Sequence, residues 1–224
     1  MGRREETAAE LRAAGKFMMD TGLAWGNAGN ISARLDDSSF LITATGTFLG
    51  ELGEGDFAEC VLDGREAPAA AGLKPSKEVP MHQAVYDLRP DVGAVLHASP
   101  FYSTLFACAD IPLPSGLFVE TMYYLERVER VRYAHPGSLD LGEAVREKAK
   151  QANVLLLEHH GVLVYDTSIK EARMALQTLE MACRMVIESG SAGVRLQELP
   201  DPVRQDFLER SEEHTSELQS LRHL

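Results

Sequence analysis

The sequence predicts an α/β domain whose central strands are covered by helices on both faces. Two short apolar runs, Val92 to His97 and Val154 to His160, end abruptly at polar groups, as the inner strands of a doubly covered sheet do. Stretches with helical spacing alternate with them along the chain. With 224 residues and no linker or internal repeat, the chain fits one domain large enough to bury a full core.

The elements follow in order. Thr7 to Met19 carries Ala8, Leu11, Phe17 and Met18 at helical spacing and stops before Gly22. A glycine-asparagine turn, Gly26 to Asn30, leads into an alternating strand, Ile31 to Arg34. Asp36 to Ser39 is turn chemistry before a return strand, Phe40 to Thr43. A third strand is expected at Ala58 to Leu62, closed by Asp63-Gly64, and Ala67 to Gly72 reads as a surface loop. Ser76 can cap a helix from Lys77 to about Leu88. Pro100 opens another that runs to Cys108. Residues 111 to 135 show no clear period. Leu139 to Ala152 reads as a helix, Val154 to Leu157 and Val162 to Tyr165 as strands, and Ile169 to Ser189 as a long amphipathic helix.

Composition excludes several classes of function. A formal charge of −12 argues against nucleic acid and anionic membrane surfaces. It does not argue against a phosphorylated substrate, because local backbone amides can hold a phosphate inside an acidic protein. No apolar stretch approaches the length of a membrane span, and the first residues lack the apolar core of a signal peptide. Cys60, Cys108 and Cys183 form neither a Cys-x-x-Cys pair nor a disulfide framework, so a cytoplasmic location is expected. Arg210 to Leu224 contains Arg210-Ser211-Glu212-Glu213-His214-Thr215-Ser216, which reads as a translated sequencing-library adapter. The domain is therefore expected to be 1–209, with 210–224 an artefactual, disordered tail.

His97 and His160, each at the end of an apolar run, suggest a metal site, because the crevice at strand ends is where ligands sit in α/β sheets. Glu78, just before a helical stretch, is a carboxylate placed to complete the chemistry. Gly29 and Gly46 permit close backbone approach, and hydroxyls beside a helix start offer donors to an anion. Taken by themselves, these turns read more readily as ordinary tight turns than as an anion site.

Five segments together resemble the class II aldolase/adducin family over roughly residues 7 to 190. They are Gly26 to Arg34, Ile42 to Gly46, Lys74 to His82, Arg89 to His97 and His159 to Val164, in the family's order and spacing. The resemblance implies a three-layer fold with a central, largely antiparallel sheet between helices. It also implies a homotetramer with sites between subunits, and a metal-dependent lyase cleaving a carbon–carbon bond in a small phosphorylated or carboxylated sugar-derived substrate. It further implies that Glu78 is the acid/base, that Asn30, Thr45, Gly46 and Ser76 hold the substrate phosphate, and that one divalent ion, zinc before manganese or cobalt, sits on the histidines. Lys77 replaces a second serine and reads either as an added cation or as a solvated first-turn lysine.

The metal motif departs from the family. Where a second histidine is usual the chain has Ser99, a poorer zinc ligand than imidazole. The site then either recruits Glu78 or His159, or binds weakly with extra waters, or has lost its metal as an adducin-like binding module. A retained site is the favoured expectation, with epimerase, dehydratase and decarboxylase chemistry open on the same scaffold. His159 is expected to be a neighbour rather than a ligand, and His82 a supporting residue one turn beyond Glu78.

Overall fold

The computed structural model describes residues 2–62 and 73–221, with side chains as far as Ser211. The chain runs through α1 (Arg3–Asp20), β1 (Asn30–Arg34), β2 (Ser39–Thr43), β3 (Phe57–Val61), α2 (Val79–Leu88) and β4 (Ala94–Ala98). It continues through α3 (Phe101–Ala107), α4 (Val119–Tyr124), β5 (Val128–Val131), α5 (Leu139–Ala149), β6 (Val154–Leu157), β7 (Gly161–Asp166), α6 (Ile169–Ser191) and α7 (Asp201–Leu221). The strands form one sheet in the order β3-β2-β1-β4-β7-β6-β5, and every pairing is antiparallel except β5 with β6.

Alternation along the strands sorts side chains onto the two faces. Ala94, Leu96 and Ala98 of β4 join Ile31, Val162 and Val164 beneath α1, α3 and α6, in a core with Leu11, Met18, Phe106, Leu176 and Leu179. Val95 faces the other way, with Phe40, Ile42, Leu155, Leu163 and Tyr165, against Met81, Val85 and Tyr86 of α2 and Leu141 and Val145 of α5. Each such fully buried Leu, Val or Phe contributes about 1.5–3 kcal/mol relative to exposure. Two covered faces make three layers, as the sequence predicts. The α5 and α6 helices begin at serines whose hydroxyls accept from the third helical amide, Ser138 from Leu141 and Ser168 from Glu171. Among the described residues, no helix is long and apolar enough to cross a membrane.

Several boundaries differ from the sequence expectation. The α2 helix starts at Val79 rather than Lys77, because residues 74–76 pair instead with the end of β2. Thr45 N–H donates to Lys74 O (2.9 Å) and Ser76 N–H to Thr43 O (3.0 Å). The β4 strand starts at Ala94 and runs through His97 to Ala98, so that histidine lies inside the strand rather than at its end. Residues 111 to 135 contain α4 and β5, two elements too short to show a period. The loop expected at Ala67 to Gly72, with Asp63-Gly64 before it, lies outside the described residues. Position 210, the expected start of a disordered tail, falls inside α7, whose backbone is helical from Asp201 to Leu221.

Candidate active site

Glu78 occupies the N-cap position of α2, where its backbone N–H donates to Ser76 Oγ (3.3 Å). His97 projects from β4, opposite Asn30 on β1 and Leu163 on β7. His160 sits in the tight turn between β6 and β7, where strand pairing has ended and His159 adopts a positive φ of 55°. The three side chains converge. His160 Nε2 lies 3.1 Å from Glu78 Oε1, His97 Nε2 lies 3.4 Å from Glu78 Oε2, and the imidazole rings are 4.7 Å apart. One ligand atom from each lies within 4.8 Å of the others, well inside what a single ion can bridge. His159 is exposed and donates its backbone N–H to Ala107 O; it and His135 stand outside this cluster.

The chemistry of these atoms fits a cation. The Val162 carbonyl can only accept, so His97 Nδ1 carries the proton that meets it (3.0 Å) and Nε2 presents a lone pair to the carboxylate. Glu78 Oε1 and His160 Nδ1 are buried without a hydrogen-bond partner among the described residues. The bare Nε2 of His97 facing a carboxylate oxygen across 3.4 Å suits a positive charge between them. Burial alone would raise the Glu78 carboxyl, but His160, His97 and the Asn30 amide outweigh it and hold it down at about 2. Burial likewise holds His97 below its ordinary value, partly offset by Glu78. Both directions favour the ligating forms, carboxylate and neutral imidazole.

An open cavity of about 540 Å³ extends from this cluster. Asn30, Thr45, Gly46, Ser76 and Lys77, the residues expected to hold an anion, all line it alongside Glu78, His97, Ser99 and His160. The pairing of residues 74–76 with the end of β2 explains the convergence, because it ties the Thr45-Gly46 turn to the segment that presents Glu78. Lys77 is exposed at the rim, ahead of the helix rather than in its first turn.

Two of these residues carry contacts that the sequence does not show. Asn30 lines the cavity with both ends of its carboxamide engaged, one N–H of its NH2 group remaining. Its amide N–H donates to Glu78 Oε2 (2.6 Å) and its Oδ1 meets His82 Nε2 (2.6 Å), because the buried start of β1 faces α2 at that level. Ser99 reaches the cavity, yet its hydroxyl donates to the His160 carbonyl (3.2 Å) and so holds the β6–β7 turn. Trp25 was not anticipated. It lines the cavity, mostly exposed, with its indole N–H donating to Ser99 O (3.0 Å), and its place before the glycine-asparagine turn was the only available signal.

A three-layer sheet with a carboxylate and two imidazoles gathered beside phosphate-type turns defines a recognisable class. The chain belongs to the class II aldolase and adducin N-terminal domain family, whose model matches residues 9–187. It is 34% identical over 175 residues to the 3-oxo-tetronate 4-phosphate decarboxylase of Haemophilus influenzae, covering 76% of this chain and 82% of that one. It is 33% identical over 161 residues to the L-fuculose phosphate aldolase of Methanococcus vannielii, covering 71% and 84%. Among solved structures, YgbL of Escherichia coli superposes with a TM-score of 0.80 at 27% identity, covering 91% of this chain and 98% of that one. An L-fuculose 1-phosphate aldolase gives 0.81 at 24% identity, covering 92% and 96%, and shows the fold alone.

Proposed function

We propose that the protein is a metal-dependent lyase that breaks a carbon–carbon bond in a small, phosphorylated, sugar-derived substrate. The observation that carries this reading is the meeting, in one cavity, of the Glu78–His97–His160 cluster with the anion-type turns around Thr45, Gly46, Ser76 and Lys77. Glu78, His97 and His160 would hold one divalent ion, zinc first and manganese or cobalt as alternatives. Such an ion polarises a substrate carbonyl and stabilises negative charge that develops on it. The Thr45 and Ser76 hydroxyls, the amides near the start of α2 and the Lys77 ammonium would orient the phosphate. Asn30 holds Glu78 in this scheme and offers its second N–H to the phosphate beside the other four residues.

Glu78 is placed to move the proton. Loss of CO2 from a 3-oxo acid and retro-aldol cleavage of a ketose both leave a carbanion next to a carbonyl, delocalised as an enediolate. In aldol cleavage a base must take the hydroxyl proton, and in either reaction an acid must return one to carbon; a carboxylate beside the reacting atoms serves both steps. The five decarboxylases among the relatives favour CO2 as the fragment lost.

Metal-loaded protein incubated with 3-oxo-tetronate 4-phosphate and with L-fuculose 1-phosphate tests this. CO2 from the first, or aldehyde from the second, supports a lyase and names the reaction. Neither product, with metal bound, removes both activities. A homotetrameric, cytoplasmic enzyme with sites between subunits belongs to the same proposal, and light scattering checks the assembly. A non-catalytic binding module is the second reading, favoured by Ser99 at the usual histidine position. It predicts no metal in the purified protein.

A further inference from the structure

Beneath the cavity floor, β1 and α2 exchange side chains in an interleaved ladder. Tyr86 OH meets Ser32 Oγ (2.9 Å), Ser32 Oγ meets His82 Nδ1 (2.7 Å), and His82 Nε2 meets Asn30 Oδ1 (2.6 Å). The last rung is the Asn30 amide on Glu78 Oε2 (2.6 Å). Contacts alternate strictly between helix and strand. The two repeats are matched: residues two apart on a strand share a face and advance about 6.6 Å, while residues four apart on a helix share a face and advance about 6 Å. Asn30 and Ser32 therefore stay in step with Glu78, His82 and Tyr86. His82 and Ser32 are fully buried, with Tyr86 and Asn30 nearly so, which shuts water out of the ladder.

The donors and acceptors permit one direction only. A carboxylate can only accept, so Asn30 must turn its NH2 group to Glu78 and its oxygen to His82. That oxygen requires a proton on His82 Nε2. A neutral imidazole then has a bare Nδ1, which accepts from Ser32; the Ser32 oxygen in turn accepts from Tyr86.

We infer that His82 is a positioning residue for Glu78: its single buried tautomer fixes the Asn30 carboxamide, which pins Glu78 Oε2 and leaves Oε1 for the work at the cavity. The inference rests on the reading of Glu78 as the working carboxylate. Without His82, Asn30 Oδ1 loses its buried partner and Ser32 Oγ keeps only Tyr86. The carboxamide can then rotate, placing oxygen against oxygen at Glu78. Glutamine at position 82 carries an N–H for Asn30 and an oxygen for Ser32, so it can preserve the direction of the chain.

The test combines nitrogen NMR of the His82 ring in the unmodified protein with zinc titration calorimetry of wild type, His82→Gln and His82→Leu, with circular dichroism confirming their folds. The expected result is a ring protonated at Nε2 and bare at Nδ1. Zinc affinity should stay within about threefold in His82→Gln and fall by roughly 10–100-fold in His82→Leu, as for other residues that orient metal ligands. A ring protonated at Nδ1 overturns the inference, as does zinc binding by His82→Leu equal to wild type or lost in a folded His82→Gln. If wild type binds no zinc, the functional reading fails separately and the ring tautomer still decides the ladder.

Discussion

Replacing Gly161 with alanine should loosen the site at a definable point. Gly161 follows His160 directly and opens β7 with φ of 153°, a conformation that residues with a Cβ rarely adopt. A Cβ there would lie 2.5 Å from Ala98 O and 2.7 Å from Ser99 Oγ. The backbone strain costs about 1–3 kcal/mol and the overpacking about the same again, so about 4 kcal/mol is a central figure. For a chain of this size each kcal/mol lowers Tm by about 2–4 °C, which gives a fall of about 8–16 °C. Gly46→Ala is the matched control: its φ is 82°, but a Cβ would meet nothing within 4 Å. Only the strain of roughly 1–2 kcal/mol remains there. Thermal melts followed by circular dichroism compare the two, and zinc titration of Gly161→Ala should also show weaker binding as His160 is displaced from His97. A Gly161→Ala protein that melts no lower than Gly46→Ala would refute the reasoning from close approach.

Three further outcomes follow from the same geometry. Ser99→His adds an imidazole at the cavity edge in exchange for one hydrogen bond to the turn, worth about 1 kcal/mol; calorimetry should show zinc affinity higher by about tenfold or more. Glu78→Gln keeps the shape of the side chain but removes the proton carrier and a ligand charge, so turnover should fall by about 100-fold or more while the fold persists, as measured by product assay and melting. The third concerns acid. Burial lowers the His82 pKa to about 3, so below its ordinary value of 6.5 the unfolded chain takes up a proton that the native site refuses. Stability is therefore lost as pH falls, by about 2 kcal/mol between pH 7.5 and 5 from this group. Urea unfolding at the two pH values should show His82→Gln losing less stability than wild type by that amount.

Much of the site was legible because its signals are local. His97 and His160 stand at or near the ends of conspicuous apolar strands, and Glu78 precedes a helix opened by Val79-Pro80. The turns at Gly29 and Gly46 line the same cavity. What escaped depends on pairing across the sheet. Asn30 reads as a phosphate donor from its turn alone; only the β1–β4 register and the position of α2 show that Glu78 and His82 take both ends of its amide. Ser99 reads as a weak ligand, and only the folded chain shows that its hydroxyl proton is held by the His160 carbonyl of the neighbouring turn. Likewise α4 and β5 are too short to show a period, and tertiary packing defines them. The start of α2 was placed two residues early because Ser76 is a good cap in isolation, whereas its amide is held by Thr43.

The central claim is that Glu78, His97 and His160 together hold one divalent ion. Calorimetric titration of wild type and His97→Ala with zinc and manganese, after chelator treatment and dialysis, tests it most directly. The account predicts about one ion per chain in the wild type, with binding weakened by at least tenfold in His97→Ala. No binding by the wild-type protein at millimolar metal, or equal binding by the two proteins, would contradict it.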